Sequence, residues 1–223
     1  MESIFTYYNK LAASYDENRF ANSYGKFIHQ QEISYLNETL NKKNTKYTLD
    51  LACGTGRLLQ FAKYGVDNSP NMINIATRKY PNHNLQVSKG ESLPFKNSFF
   101  KQVYSFHLFM HLEINHFSQI LNEVGRTLEK GGTFTFDFPS KSRRKITRYK
   151  AASWHGGSQI GTSDIHKIIK NNWELVNYRG VAFFPIHHFP TKLRKHLLKL
   201  DNFLCRSIFK QFSSHLIFTL SKK

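Results

Sequence analysis

Four residues, Thr48 to Leu51, run into the small-residue stretch Ala52-Cys-Gly-Thr-Gly56, and Arg57-Leu-Leu59 follows. The first four read as a short buried strand and the small residues as a tight turn. The residues from Arg57 to about Lys63 read as the first helix after it. Glycines let a ligand approach the backbone closely, and a helix start offers N–H groups without intrahelical partners. The stretch therefore predicts a nucleotide-cradling turn, and it ties the rest of the chain to an α/β plan.

The elements around it agree. Residues 4–40 read as helical about one turn-rich loop, 12–25, and residues 41–45 as a polar linker. Downstream, strands alternate with helices. Strands are predicted at 47–51, 64–66, 85–87, 101–106, 133–138, 173–178 and 215–220. A helix from Pro70 is signalled by Ser69 as N-cap and proline at the first helical position. Phe117, Ile120, Leu121, Val124 and Leu128 mark an amphipathic helix that Gly131-Gly132 is expected to stop. Further helices are predicted at 163–172 and 192–204. The expected fold is α/β: a Rossmann-like, seven-stranded, mostly parallel sheet with helices on both faces. A chain of 223 residues suits one such domain. Its expected parts are a helical lid (1–45), a cofactor-binding core (46–140) and substrate-side segments with the last strands (141–223). With two cysteines, no membrane-length apolar run and no leader-like N-terminus, a cytoplasmic location is expected.

Two glycine-turn classes are excluded by residue type. A dinucleotide fingerprint needs a small third residue where Leu59 stands and an acid further on than Asp67. A P-loop needs Gly-Lys-Ser/Thr, which is absent. In contrast, Asp50-Leu-Ala-Cys-Gly-Thr-Gly56 resembles the first motif of class I S-adenosylmethionine-dependent methyltransferases, small-molecule type. Gly65-Val-Asp-Asn-Ser-Pro-Asn-Met72 resembles their second motif. Ser92-Leu-Pro-Phe95 with Ser98-Phe-Phe100 resembles the approach to their fourth strand, and Leu121–Gly132 their segment leading to strand five. The opening Tyr7–Asp16 is similar to the lid of small-molecule members. Together the core motifs cover roughly residues 45–138, in order.

The resemblance implies S-adenosylmethionine as cofactor and an antiparallel last strand. It implies that the backbone of Ala52, Gly54 and Gly56 accommodates the methionine and ribose portion. Asp67 would accept from both ribose hydroxyls, and Asp50 would lie under the methionyl amino group with the backbone at Phe106. Asn68 and Met72 would flank the adenine. Lys89 stands where members carry an acid for the adenine amino group, so Gly90 would offer its N–H and Glu91 an acceptor. The span from Gly56 to Asp67 is also shorter than usual.

Candidate bases are His107, His111 and Tyr15, with Tyr15 expected to close over the cofactor. His107 and His111 form an H-x-x-x-H pair, but Leu108 replaces the glutamate of a zincin, so no metal is expected. Net charge is +17 and uneven: +5 over residues 1–110 and +12 over 111–223. Lys141–Lys150 holds six basic residues, and His187, His188, Lys192, Arg194, Lys195 and Lys199 follow near the substrate side. Tyr149, Trp154, Phe183, Phe184 and Phe189 are interleaved. The expected partner is a small-molecule methyl acceptor that is anionic, aromatic or lipid-like. Nucleic acid and an anionic membrane surface rank behind it. The alternative functions are an RNA methyltransferase and a non-catalytic S-adenosylmethionine-binding protein.

Overall fold

The computed structural model describes residues 4–150, 157–169 and 172–223. Trp154 and the end of the helix expected at 163–172 lie outside the described residues. Among those residues, the helices are α1 (Ile4–Leu11), α2 (Tyr15–Phe20), α3 (Ser23–Thr39), α4 (Pro70–Lys79), α5 (Ile114–Thr127), α6 (Lys141–Thr147), α7 (Thr162–Ile169) and α8 (Thr191–Arg206). The strands are β1 (Thr48–Leu51), β2 (Tyr64–Asp67), β3 (Asn84–Val87), β4 (Phe100–Ser105), β5 (Leu128–Pro139), β6 (Trp173–Val181) and β7 (His215–Lys222). They form a seven-stranded sheet of order β3-β2-β1-β4-β5-β7-β6. The first five strands pair in parallel, and β7 is antiparallel to both β5 and β6.

One face of the sheet is covered by α5. Its apolar stripe of Phe117, Ile120, Leu121 and Val124 meets alternate residues Phe134, Phe136 and Phe138 of β5. Period 3.6 meets period 2 here, which is how a helix covers a sheet. The opposite face is covered by α3, whose Ile28, Tyr35 and Leu36 pack with Leu58, Ala62, Tyr104 and Ile217.

Three expectations are corrected. The helix expected at 57–63 is absent: residues 54–58 form successive turns and only Leu59–Phe61 closes a single 3-10 turn. The short connection between β1 and β2 leaves little room for an α-helix plus the turns at its ends, and α3 covers the face instead. The glycine pair does not stop α5. The helix ends at Thr127 because Ser98 and Phe99 N–H donate to the carbonyls of Arg126 and Thr127, at 2.9 and 2.7 Å. That satisfies carbonyls the helix leaves open, and β5 starts at once and runs through Gly131 and Gly132. The loop expected at 12–25 contains α2, which closes on α3 because Gly25 has no Cβ; one there would stand 2.0 Å from the Arg19 carbonyl oxygen.

Candidate active site

A cavity of about 740 Å³ opens beyond the carboxyl ends of β1, β2 and β4. This is the point where the strand order reverses direction, the usual ligand site of an open α/β sheet. Its floor includes Leu51, Ala52, Gly54 and Asp67. Asn68, Met72, Gly90 and Glu91 line one side, and Phe106, His107 and His111 another. Ile4, Phe5 and Tyr8 of α1 and Tyr15 of α2 line it as well.

The glycine turn keeps its role without its helix. Gly54 has φ +52°, and a Cβ there would meet nothing within 4 Å. Its backbone is thus presented bare to the cavity. Gly56 stands apart from the cavity lining: with φ +88°, it packs against Leu59 and Tyr80. Ala52 and His107 also adopt left-handed φ, both +61°. These conformations disfavour a side chain, and they lie just past β1 and β4, on the cavity rim.

Asp67 ends β2 with both carboxylate oxygens oriented. Oδ1 accepts from Ser69 N–H at 2.8 Å and Oδ2 from Gly54 N–H at 2.9 Å. Burial raises its pKa, and those two N–H bonds act against the rise. Each oxygen retains a lone pair for a further donor. Ser69 caps α4, accepting from Met72 N–H, and its hydroxyl donates to Asn9 Oδ1 at 2.7 Å. Asn71 Nδ2 donates to the Asn9 carbonyl. Thr55 Oγ1 donates to Asp16 Oδ1 at 2.5 Å. α1 and α2 are therefore fastened to the strand ends. Gly90 is also closely packed, since a Cβ there would lie 3.1 Å from Ile120.

Beneath the turn lies a buried charge cluster that the sequence reading missed. Arg57 Nη1 donates to Glu32 Oε2 at 2.6 Å and lies 2.6 Å from His29 Nδ1. Its guanidinium stacks 4.1 Å above the Phe20 ring. His107 Nε2 lies 2.7 Å from Glu32 Oε1, out of line for a hydrogen bond but an ion pair when the ring is charged. His107 N–H donates to Asp137 Oδ1 at 2.6 Å. Burial opposes charge on Glu32, but Arg57 and His107 outweigh it and bring its pKa to about 2. Burial likewise opposes charge on His107, and Glu32 with Asp137 overcomes it, so its pKa rises. A ring whose proton is favoured by Glu32 and Asp137 on either side is a weaker general base. One signal was available: Ile28, Glu32 and Leu36 share one helical stripe, so Glu32 sits where an apolar residue belongs.

Asp50 is buried under the turn and lines a second, small cavity with Ala52, Gly54, Arg57 and Phe106. Burial holds its pKa well above the usual carboxylate range, against the pull of Arg57. His111 meets the Tyr8 hydroxyl at 2.7 Å through Nε2. Burial raises the Tyr8 pKa, so that hydroxyl stays protonated. Burial also pushes Tyr15 up to about 12. The residues that could hold a nucleoside are thus grouped on one wall, and the Tyr8–His111 pair on another.

Residues 49–136 match the family model described as a methyltransferase domain. An uncharacterised protein of Methanocaldococcus jannaschii is 36% identical over 138 residues, 60% of this chain and 50% of that protein. The ubiquinone/menaquinone biosynthesis C-methyltransferase of Campylobacter jejuni is 24% identical over 145 residues, 59% of this chain and 61% of that protein. The chain thus spans between half and two thirds of the length of these curated relatives. In fold it is similar to a crystal structure from Thermotoga maritima, described as an S-adenosylmethionine-dependent methyltransferase and possible histamine N-methyltransferase. The TM-score is 0.72 at 15% identity, covering 99% of this chain and 100% of that one.

Proposed function

We propose that the chain carries a class I S-adenosylmethionine-dependent methyltransferase domain and is a transferase that methylates a small-molecule acceptor in the cavity above β1 and β4. S-adenosylmethionine is the cofactor and supplies, when bound, an electrophilic methyl group on a sulfonium. The observation that carries this reading is Asp67, a carboxylate fixed by two backbone N–H groups with lone pairs left for two hydroxyls. The bare backbone at Gly54 fits the same group, because nothing of the chain fills the space a side chain would take.

In this reading Asp67 holds the ribose, Asn68 and Met72 flank the adenine, and Gly90 and Glu91 bind its edge. Asp50, Ala52 and the Phe106 backbone face the amino-acid portion. Tyr15 closes over the site from α2. In-line methyl transfer asks the protein mainly for alignment and exclusion of water. α1 and α2 supply that cover through their ties at Asn9 and Asp16. Where the acceptor must lose a proton, His111 is the group to take it, with Tyr8 orienting the ring. His107 is assigned to structure, holding the rim through Glu32 and Asp137. The lid, core and substrate-side segments at 1–45, 46–140 and 141–223 act as one domain.

Calorimetry tests the assignment. Asp67→Ala should weaken S-adenosylmethionine binding by about 1.5–3 kcal/mol, the size of hydrogen bonds to a charged group. Unchanged affinity in a folded variant would sink it.

A further inference from the structure

The outward surface of α8 divides into two strips. At about 3.6 residues per turn, Leu193, Leu200 and Phe203 fall together, and Lys192, Lys195 and Lys199 fall beside them. Phe203 is 67% exposed, and just past the helix Ile208 is 84% exposed. α8 is already docked by its other side, so this surface is not part of the chain's own core. Asp201 and Cys205 are buried there. Asp201 accepts from Gln31 Nε2 at 2.6 Å and from Phe184 N–H at 2.8 Å.

Asp201 is the single acid of α8, and it is fully buried. The outer face therefore has cations with no acid from its own helix. Lys192, Lys195 and Lys199 enter no ion pair with another described residue. The turn after the helix extends the surface. Ser140 Oγ donates to the Gln211 carbonyl at 2.5 Å and Arg143 Nη1 to the Phe212 carbonyl at 3.4 Å, which brings α6 alongside. α6 adds Ile146, 64% exposed, next to Lys145.

We propose that α8 and the turn at 207–212 form a docking surface for an anionic lipid bilayer. An apolar strip beside a row of lysines is the arrangement of a helix lying in the plane of a membrane interface. Leucine and phenylalanine enter the acyl boundary, and lysine heads stay among anionic headgroups. Single-stranded nucleic acid takes a run of aromatic platforms for its bases; here Phe203 and Phe209 are exposed, but the strip is otherwise aliphatic, with Leu193, Leu200 and Ile208. A two-fold contact with a second copy would set one cation row near another. No described helix is long and apolar enough to cross a membrane, so the contact is peripheral.

The test is co-sedimentation of the full chain with vesicles of phosphatidylcholine alone or mixed with phosphatidylglycerol. Two double variants are compared, Lys195→Glu with Lys199→Glu, and Phe203→Ser with Ile208→Ser. All four positions are exposed, and circular dichroism with cofactor calorimetry checks that each variant is folded. The expected result is a preference of about tenfold or more for anionic vesicles. Charge reversal should remove that preference, and the serine variant should weaken binding several-fold. Equal binding to both vesicle types, or a serine variant that binds as wild type, overturns the proposal. So does absence of vesicle binding together with tight binding of an RNA oligonucleotide, or with dimerisation that the serine variant abolishes.

Discussion

Glu32 is almost fully buried on the apolar stripe of α3, and its two oxygens are claimed by different elements: Arg57 of the glycine turn and His107 past β4. Such a carboxylate is stable only while both partners keep their charge. Its pKa lies near 2 in the fold against an ordinary 4.5. Between those values the unfolded chain binds more protons, so stability rises with pH there. The contribution is complete above 4.5 and is lost as pH falls towards 2. His107 runs the other way. Its raised pKa makes its contribution complete below the ordinary 6.5 and lost as pH climbs through the raised value. His215, buried and brought down to about 3, adds to the loss on the acid side, from 6.5 downward. Glu32→Gln leaves the half-buried Arg57 and His107 without their carboxylate and should cost about 3 kcal/mol at neutral pH. Urea unfolding at a series of pH values checks this. The variant should also lose much of the acid dependence between 4.5 and 2. A variant as stable as wild type, with the same acid limb, would show that the pair contributes nothing net.

At the scale of elements, the turn between β1 and β2 separates folding from binding. Gly54 has room for a methyl group but holds φ +52°. Gly54→Ala should therefore destabilise the fold by only about 1–2 kcal/mol, the penalty of a left-handed alanine. The same methyl projects into the proposed cofactor space, so affinity for S-adenosylmethionine should fall by about tenfold or more, a loss of roughly 1.4 kcal/mol. Chemical unfolding and calorimetry on one preparation distinguish the two effects. The reverse pattern, with large instability and intact affinity, would remove the turn from the site. What was legible in the sequence follows the same division. Strands β1 to β4 and β7 were read within a residue or two, as was the Ser69-Pro70 start of α4, because each rests on local backbone chemistry; β5 begins five residues before its expected start because it runs through Gly131-Gly132. The end of α5 was not, because the donors that close it, Ser98 and Phe99, lie about thirty residues away in sequence. Nor was the replacement of a first helix by α3, which is decided by packing across the sheet. At the site, Asp67 and Gly54 were read from a local motif. Glu32, Arg57 and Asp137 meet only in three dimensions, and Tyr8 gained its meaning from His111.

For the molecule as a whole, ligand and fold are linked. Groups from α1, α2, β1, β2 and the end of β4 meet around one cavity, so a ligand there binds the folded chain and not the unfolded one. At about one hundred times its Kd, S-adenosylmethionine should add about 2.7 kcal/mol of stability. For a protein of this size that raises Tm by about 5–10 °C. Scanning fluorimetry should show the rise in wild type and its collapse in Asp67→Ala at the same concentration. Equal shifts in both would place the ligand elsewhere.

The position of β7 has a consequence for how the chain comes into being. It follows β6 in the sequence, yet it lies inside the sheet, between β5 and β6. During synthesis, until residues 215–222 have left the ribosome, β5 therefore waits with one side of its hydrogen-bonding ladder open and β6, the edge strand that pairs with β7, with both sides open. The cofactor half, β1 to β4, can assemble while translation continues. The other half cannot close until β7 is threaded between two strands that precede it. Chaperone protection of a nascent chain of this topology is needed late and on one side of the sheet, where open edges would otherwise pair with strangers.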